Sequence, residues 1–397
     1  LRTLPMDWNH DGRLDLLVLR AQAREGLSVL IQDSDGAFTP RLLITQPPTF
    51  GYVAMELADL DGDGVDEILL VNGDSGDYRS PHKPFHGVRI YQRATGDRLE
   101  ERCFVPLHGA YGVRARDFDG DGDLDLALIS FFPDFTADPP ESFLLLSNEG
   151  GWRFRAASLR AVDAFLGRWL VLDAGDVDGD GKLDLLEAKR WWRQGAGVAN
   201  SGADLASPAP WQPHTFALGV PGGAQMFAYD FDGDGRNDIF TTLAAHRHGV
   251  AVFFNRAGQG GANWERRLII GEHPWENDYG VVFSQPHAAH LADMDGDGVM
   301  DVVTGKRYWA HNGRDAGEHA AKVLYWLQTK RDGKGGVEFI PHLISADCGV
   351  GVDVQVGDVN GDGFPDVIVG NKAGVFVLLQ ERQEVSQEVA EQMGPKK

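Results

Sequence analysis

Nine residues, Asp293-Met294-Asp295-Gly296-Asp297-Gly298-Val299-Met300-Asp301, limit what this chain can fold into. Acids at positions one, three and five alternate around a glycine-borne turn, and a fourth acid follows at position nine. A hard cation such as Ca²⁺ takes about six to eight oxygen ligands, and a tight loop with alternating carboxylates supplies several from one side. The run behind the loop, Val302-Val303-Thr304, is β-branched, so the loop opens into a strand.

The spacing occurs seven times in 397 residues, at steps of 52 to 65. The expected cation ligands are Asp7, Asn9, Asp11 and Asp15; Asp59, Asp61, Asp63 and Glu67; Asp117, Asp119, Asp121 and Asp125. They continue with Asp176, Asp178, Asp180 and Asp184; Asp230, Asp232, Asp234 and Asp238; Asp293, Asp295, Asp297 and Asp301; Asp358, Asn360, Asp362 and Asp366. An EF-hand would need a glutamate at position twelve, delivered by a helix. Only Glu187 stands there, in a strand-like run; the other copies have Val18, Leu70, Leu128, Thr241, Thr304 and Val369. The loops are therefore expected to stabilise a fold with up to seven structural Ca²⁺, not to build EF-hands or a catalytic metal site.

Each unit reads alike. An apolar stretch such as Val53-Ala54-Met55-Glu56-Leu57-Ala58 enters the loop and a run such as Ile68-Leu69-Leu70-Val71 leaves it. A third run (Val250 to Phe254) and a fourth (Trp264 to Ile270) complete the unit. Four short strands A to D per unit, seven units and no helical period predict an all-β, seven-bladed β-propeller with a cation loop between strands A and B. Length alone suggests two or three domains, but repeats of this size build one unit. The expected organisation is a propeller over residues 1–380 and a polar tail over 381–397. The last unit shows no clear D strand.

Net charge is −22, and the loops carry 26 acids, so seven divalent cations would return fourteen charges and leave about −8. This balance argues for cations and against nucleic acid as partner. Two cysteines in distant units do not make a disulfide framework. No apolar run reaches the ~18 residues of a membrane span. Loops of this kind fill where calcium is millimolar, so an exported protein, extracellular or periplasmic, is expected.

The loops, followed by runs such as Asp366-Val367-Ile368-Val369-Gly370-Asn371, resemble the FG-GAP or VCBS repeats of integrin α-subunit heads and many exported bacterial proteins. The resemblance covers residues 1 to about 380 and implies a seven-bladed propeller with calcium between strands A and B. It implies no single function. The segment from Gln285 to His319 also resembles bacterial relatives of the propeller part of aldos-2-ulose dehydratase. That likeness implies metal-assisted elimination of water from a keto-sugar.

If the acidic loops lie on one face, the starts of A strands and ends of B strands lie on the other. That face gathers cations, histidines and aromatics: Arg168, Trp169, Lys189, Arg190, Trp191, Trp192, His246, Trp309 and His311 as candidate substrate contacts. A flat apolar platform beside charge-assisted hydrogen bonds suits a sugar ring bearing an acid group. His246 and His248, two apart at a strand end, are expected to share a side and offer a site for a transition metal such as Zn²⁺. His214 and His342, each after a proline, read as a repeated structural feature.

β-Elimination needs a base, an acid for the leaving oxygen and a cation for the developing enolate. His108, Tyr111, His248, His287, Lys306, Arg307 and Tyr308 are the candidate catalytic residues, expected to converge on the opening opposite the loops. The reading is a carbohydrate-active lyase or dehydratase; the alternative is a non-catalytic glycan- or protein-binding module. Neither a Gly-x-Ser-x-Gly elbow nor a phosphate-binding Gly-Lys-Ser/Thr occurs.

Overall fold

The computed structural model describes residues 1–21, 25–74, 83–130, 143–158, 172–187, 190–195, 211–215, 225–256, 263–383 and 396. Among these, the strands form seven antiparallel sheets, six of four strands in chain order and one of three. The fold class is the all-β, seven-bladed propeller expected from the repeat. In the first blade the strands are Arg2–Met6, Asp15–Arg20, Gly26–Gln32 and Phe38–Thr45. The three-stranded blade is the last, Val354–Gly357, Asp366–Asn371 and Gly374–Leu378, as the missing D-strand pattern predicts.

The B strands explain why the runs after each loop are continuously apolar rather than alternating. Glu67–Asn72, Asp125–Ser130, Asp238–Thr242, Asp301–Gly305 and Asp366–Asn371 are buried along their whole length, with neighbours on both faces. D strands such as Phe38–Thr45 are largely exposed.

The chain divides into two compact units, one of Leu1–Val18, Val29–Pro40 and Leu218–Lys397, the other of Leu19–Ser28 and Arg41–Ala217. In the first, A strand Ala289–Ala292 lies against Val354–Gly357, which lies against Arg2–Met6. Apolar wedges fill the spaces between its sheets: Phe231, Phe240, Phe254, Phe283 and Phe339 in one, Met294, Val303, Val354 and Val369 in the next, Leu16, Val359 and Ile368 in a third. In the second unit, Tyr52–Ala58 lies against Ala110–Arg116, which lies against Leu172–Gly175. Cys103 and Cys348 are both free thiols, the latter buried.

The acid at position nine opens every B strand, and it does more than the spacing suggests. One of its oxygens accepts the amide of the second loop residue in all seven blades, at 2.8–3.1 Å: Trp8, Leu60, Phe118, Val177, Phe231, Met294 and Val359. In six blades the other oxygen accepts an amide at or near the end of strand C, at 2.7–2.9 Å: Gln32, Asn148, Gln194, Asn255, Thr329 and Gln380. Glu67, one methylene longer, holds Leu60 but leaves Oε1 buried without a partner.

The same region reaches the neighbouring blade. Gln32 donates its side-chain amide to the Val359 carbonyl and Gln380 to that of Met294; Arg331 donates its guanidinium to Phe231. In the second unit Asn148 donates to Leu60 and Gln194 to Phe118. Each acceptor is the second residue of another blade's loop, so one carboxylate orders its own loop and the strand end that latches the next.

Removing that carboxylate orphans two buried N–H groups, each costing about 1–3 kcal/mol. Asp238→Ala should therefore lose roughly 2–5 kcal/mol in urea unfolding after metal removal, whereas the exposed Asp35→Ala should stay within about 0.5 kcal/mol. Equal midpoints for the two variants would contradict the latch.

Candidate functional site

Two kinds of side-chain cluster stand out. The first is the acidic loop. In the sixth blade Asp293 accepts the amides of Gly296, Asp297 and Gly298 at 2.7, 3.1 and 2.9 Å, and Asp295 and Asp297 accept those of Asp297 and Val299. The turn requires left-handed backbone at positions four and six, φ +79° at Gly296 and +85° at Gly298, which glycine adopts without strain. Carboxylate oxygens then gather within 4.8 Å of one another: Asp59, Asp61 and Glu67; Asp117, Asp119 and Asp125; Asp176, Asp178 and Asp184; Asp230, Asp232 and Asp234. An all-oxygen set of this density is able to take a hard divalent cation.

The loops are not equivalent. Arg193 pairs with Asp178 and Arg256 with Asp232, both at 2.5 Å, so a guanidinium already offsets the third-position acid in blades four and five. In blades two and six the neighbour is a neutral amide, Gln92 to Asp61 at 3.1 Å and Gln328 to Asp295 at 2.6 Å. Asn9 and Asn360 reduce the charge of the first and last loops.

Burial holds five of the position-nine carboxyls well above their usual range: Glu67, Asp125, Asp184 and Asp238 are pushed up to about 7 and Asp301 to about 6, each with neighbouring acids adding to the effect and backbone amides opposing it. A carboxyl whose folded value is raised binds more protons folded than unfolded, so it weakens the fold as pH climbs from about 4 to about 7. Metal-free protein should accordingly unfold at higher urea at pH 5 than at pH 7.5. A midpoint that is flat or rises over that interval would contradict this.

The second cluster lies in the first compact unit. His246 sits in the turn after B strand Asp238–Thr242, His287 just before A strand Ala289–Ala292, and His311 and Asp315 in the turns after Asp301–Gly305. The His246 Nδ1 is 2.7 Å from Asp315 Oδ2, and the His311 Nδ1 is 3.0 and 3.1 Å from the two Asp315 oxygens. The His246 ring meets His311 at 4.5 Å and the edge of His287 at 5.4 Å. Gln285, fully buried at φ +56°, ties the parts together: its carbonyl accepts the amides of His287 and Arg307 at 2.7 and 2.9 Å, and its side-chain amide donates to Glu318 at 3.0 Å. Glu318 also accepts the Ala310 amide at 3.2 Å.

Burial, reinforced by Arg307 and His246, holds the proton affinity of His287 well below the usual histidine range, so it is neutral. Burial, opposed by the Asp315 bond, also lowers that of His246. Burial works against ionisation of Asp315, but bonds from His311 and His246 outweigh it and keep its carboxyl below the usual range.

The predicted site residues divide. His246, His287, His311 and Arg307 do come together. His246 and His248 lie in the connection between strands Asp238–Thr242 and Val250–Asn255 rather than on a strand, and they meet different acids, Asp315 at 2.7 Å and Glu272 at 4.0 Å, so the strand alternation behind the paired-histidine expectation does not apply. Lys306 is fully buried, its Nζ donating to the carbonyls of Arg307 and Glu318 at 3.2 and 3.1 Å, so it braces the loop rather than meeting a ligand. Tyr308 lies beneath the Lys322 ammonium at 5.0 Å. Trp191 and Trp192 are core residues, 2% and 6% exposed, not a platform. Arg190 pairs with Glu187 at 2.6 Å. Trp309 is 38% exposed. His108 and Tyr111 belong to the second unit, where the His108 Nδ1 accepts the Lys83 amide at 2.9 Å and its ring stacks on His86 at 5.3 Å. Arg168, Trp169 and Lys189 lie outside the described residues. His214 and His342 stack on Trp191 and Trp326 at 4.5 and 4.4 Å, the same structural pair in two blades. Asp315 and Glu318 escaped the sequence reading because no strand or repeat spacing marks them.

Repeated antiparallel sheets, each with an acidic loop between its A and B strands, define a propeller of sequence repeats. The chain belongs to the FG-GAP repeat family: the FG-GAP-like repeat matches residues 7–70, 117–187 and 230–304, more than half of the chain, and the FG-GAP repeat matches 350–379. None of the curated proteins compared matches it. Among solved structures it is similar to a chain in the crystal structure of BBS1N in complex with ARL6DN, soaked with lead, with a TM-score of 0.52 at 9% identity, covering 97% of this chain and 93% of that one. That likeness concerns the fold alone. No described helix is long and apolar enough to cross a membrane.

Proposed function

We propose that the chain is an exported, calcium-stabilised propeller that acts on an acidic or oxidised carbohydrate by β-elimination, as a carbon–oxygen lyase. One observation carries the chemistry. His287 is nine-tenths buried and neutral, its Nδ1 has no partner, and the charge of Arg307 bears on it. A neutral imidazole is competent to take the proton α to a carboxylate or carbonyl, and a guanidinium beside it would hold the enolate that develops. Burial makes His287 a weak base at rest; an anionic substrate would strengthen it, because a nearby negative charge favours the protonated ring. Trp309 offers an exposed indole for the sugar face.

The cation part of the proposal rests on the donor set. Ca²⁺ selects oxygen ligands, the left-handed glycines let the loop gather carboxylates on one side, and weak extracellular calcium sites suit millimolar concentrations. The loops of blades two, three and six, which keep all four acids and show no arginine paired with the third among the described residues, would hold it most tightly. Bound there, the cation would offset two of the loop's four negative charges; the buried position-nine acid keeps the loop shaped.

A non-catalytic glycan- or protein-binding module is favoured by a different observation. Lys306, a candidate catalytic group, and Trp191 and Trp192, candidate substrate contacts, are buried within the fold.

The readings separate in a paired measurement of ultraviolet absorbance from an unsaturated sugar product and of thermal melting. His287→Gln should lower turnover by ~10²-fold or more with melting unchanged. Absence of turnover in the parent on any acidic or keto-sugar, or full turnover in the variant, would leave the binding module.

A further inference from the structure

We propose that the connection between the fifth and sixth blades, residues 271–282, and the cleft it walls form a binding site for a neutral sugar. The cleft has a volume of about 300 Å³. It lies in the first compact unit, between D strands Trp264–Ile270 and Val337–Ser345, with Glu276 to Tyr279 as a third wall. That is the small end of the ~300–1,000 Å³ range of ligand pockets, which suits one ring with the rest of an oligomer outside. Its apolar lining includes Ile269, Val337, Phe339 and Pro341, all buried.

The polar lining selects the ligand. Tyr279 donates its hydroxyl to Glu338 at 2.7 Å, and burial together with that carboxylate raises its proton affinity above the usual range, so the hydroxyl stays neutral. Arg267 donates to the Val337 carbonyl at 2.6 Å, and its guanidinium lies 5.0 Å from the centre of the Phe254 ring. Three acids, Glu276, Asp278 and Glu338, face one arginine in this lining. Ionised carboxylates only accept hydrogen bonds, so the complement is a ligand that brings hydroxyl donors, apolar ring faces and no negative charge. An acidic sugar would be repelled, which separates this cleft from the surroundings of Arg307.

A second observation comes from the same connection. Trp275, the residue before Glu276, is 78% exposed, more than any other large apolar side chain among the described residues. The His273 ring stacks on it at 4.4 Å and 14°. The backbone that displays this indole is braced from within. Glu276 accepts the amides of Glu272 and His273, both at 2.7 Å. Asn277 accepts those of Tyr279 and Val281 at 3.1 and 3.2 Å and donates to the Val281 carbonyl at 2.8 Å. A loop ordered before its ligand arrives loses little entropy on binding. One broad, open aromatic face suits the apolar side of a pyranose, whereas an organic cation is gripped most strongly where aromatic faces desolvate it. The site stands apart from the elimination reading, since a module that only binds glycans would use it equally.

The test is calorimetric titration of the full chain in millimolar calcium. The probes are neutral tetrasaccharides of glucose, galactose and mannose, with tetragalacturonate and spermidine as acidic and cationic counterparts. At least one neutral tetramer should bind at a single site, and neither charged probe should displace it. Trp275→Ala should weaken it at least ~10-fold and Asp278→Ala ~3-fold, both at exposed positions and with melting unchanged. Leu42→Ala, an exposed apolar side chain on the first blade, should bind as the parent does. The neutral probes carry no acid group, so the outcome does not depend on whether the chain eliminates from acidic sugars. No neutral sugar bound by the parent, parental affinity in both Trp275→Ala and Asp278→Ala, or displacement of the tetramer by spermidine would overturn the proposal.

Discussion

The buried carboxylate at position nine is the interaction on which the rest of the fold depends. Apolar wedges between sheets bring blades together, but hydrophobic contact has no direction and leaves register free. The position-nine acid supplies direction. It accepts one amide from its own loop and one from the end of strand C, and that strand end donates to the loop of another blade. A buried carboxylate is costly unless its lone pairs are met, which is why the two amides are essential to it and why Glu67, with one oxygen unmet, stands out.

Much of this was legible in the sequence because the repeat is strict. Seven identical spacings set the number of blades, and uninterrupted apolar runs such as Ile68 to Val71 marked the buried B strands. The stacked histidines His214 and His342 also followed from their shared position after proline. What the spacing hid was the second role of the acids. Asp15 and Asp238 look like further cation ligands in the sequence, yet they are buried hydrogen-bond acceptors whose partners lie seventeen residues away, at Gln32 and Asn255.

The candidate site was legible only in outline. The rule that starts of A strands meet ends of B strands placed His246, His287, Arg307 and His311 correctly within one unit. It failed for side chains whose fate depends on burial. Trp191 and Trp192 alternate on a C strand, so both faces of that strand pack inward. Lys306 is drawn inward by two backbone carbonyls. Asp315 sits in a turn, where no period assigns a direction, and its link to His246 spans 69 residues.

The acidic loops join fold and function, since the same residues that frame a blade also gather the oxygens a hard cation needs. The unequal neighbours of the third acid, arginine in blades four and five and glutamine in blades two and six, make the seven loops a graded set. The most direct measurement is equilibrium calcium binding to the stripped chain, with variants that each remove one third-position acid. The account predicts at least three tight sites per chain, with Asp61→Asn, Asp119→Asn and Asp295→Asn each weakening one of them while Asp232→Asn leaves them intact. A chain that binds no calcium at millimolar concentration would contradict it.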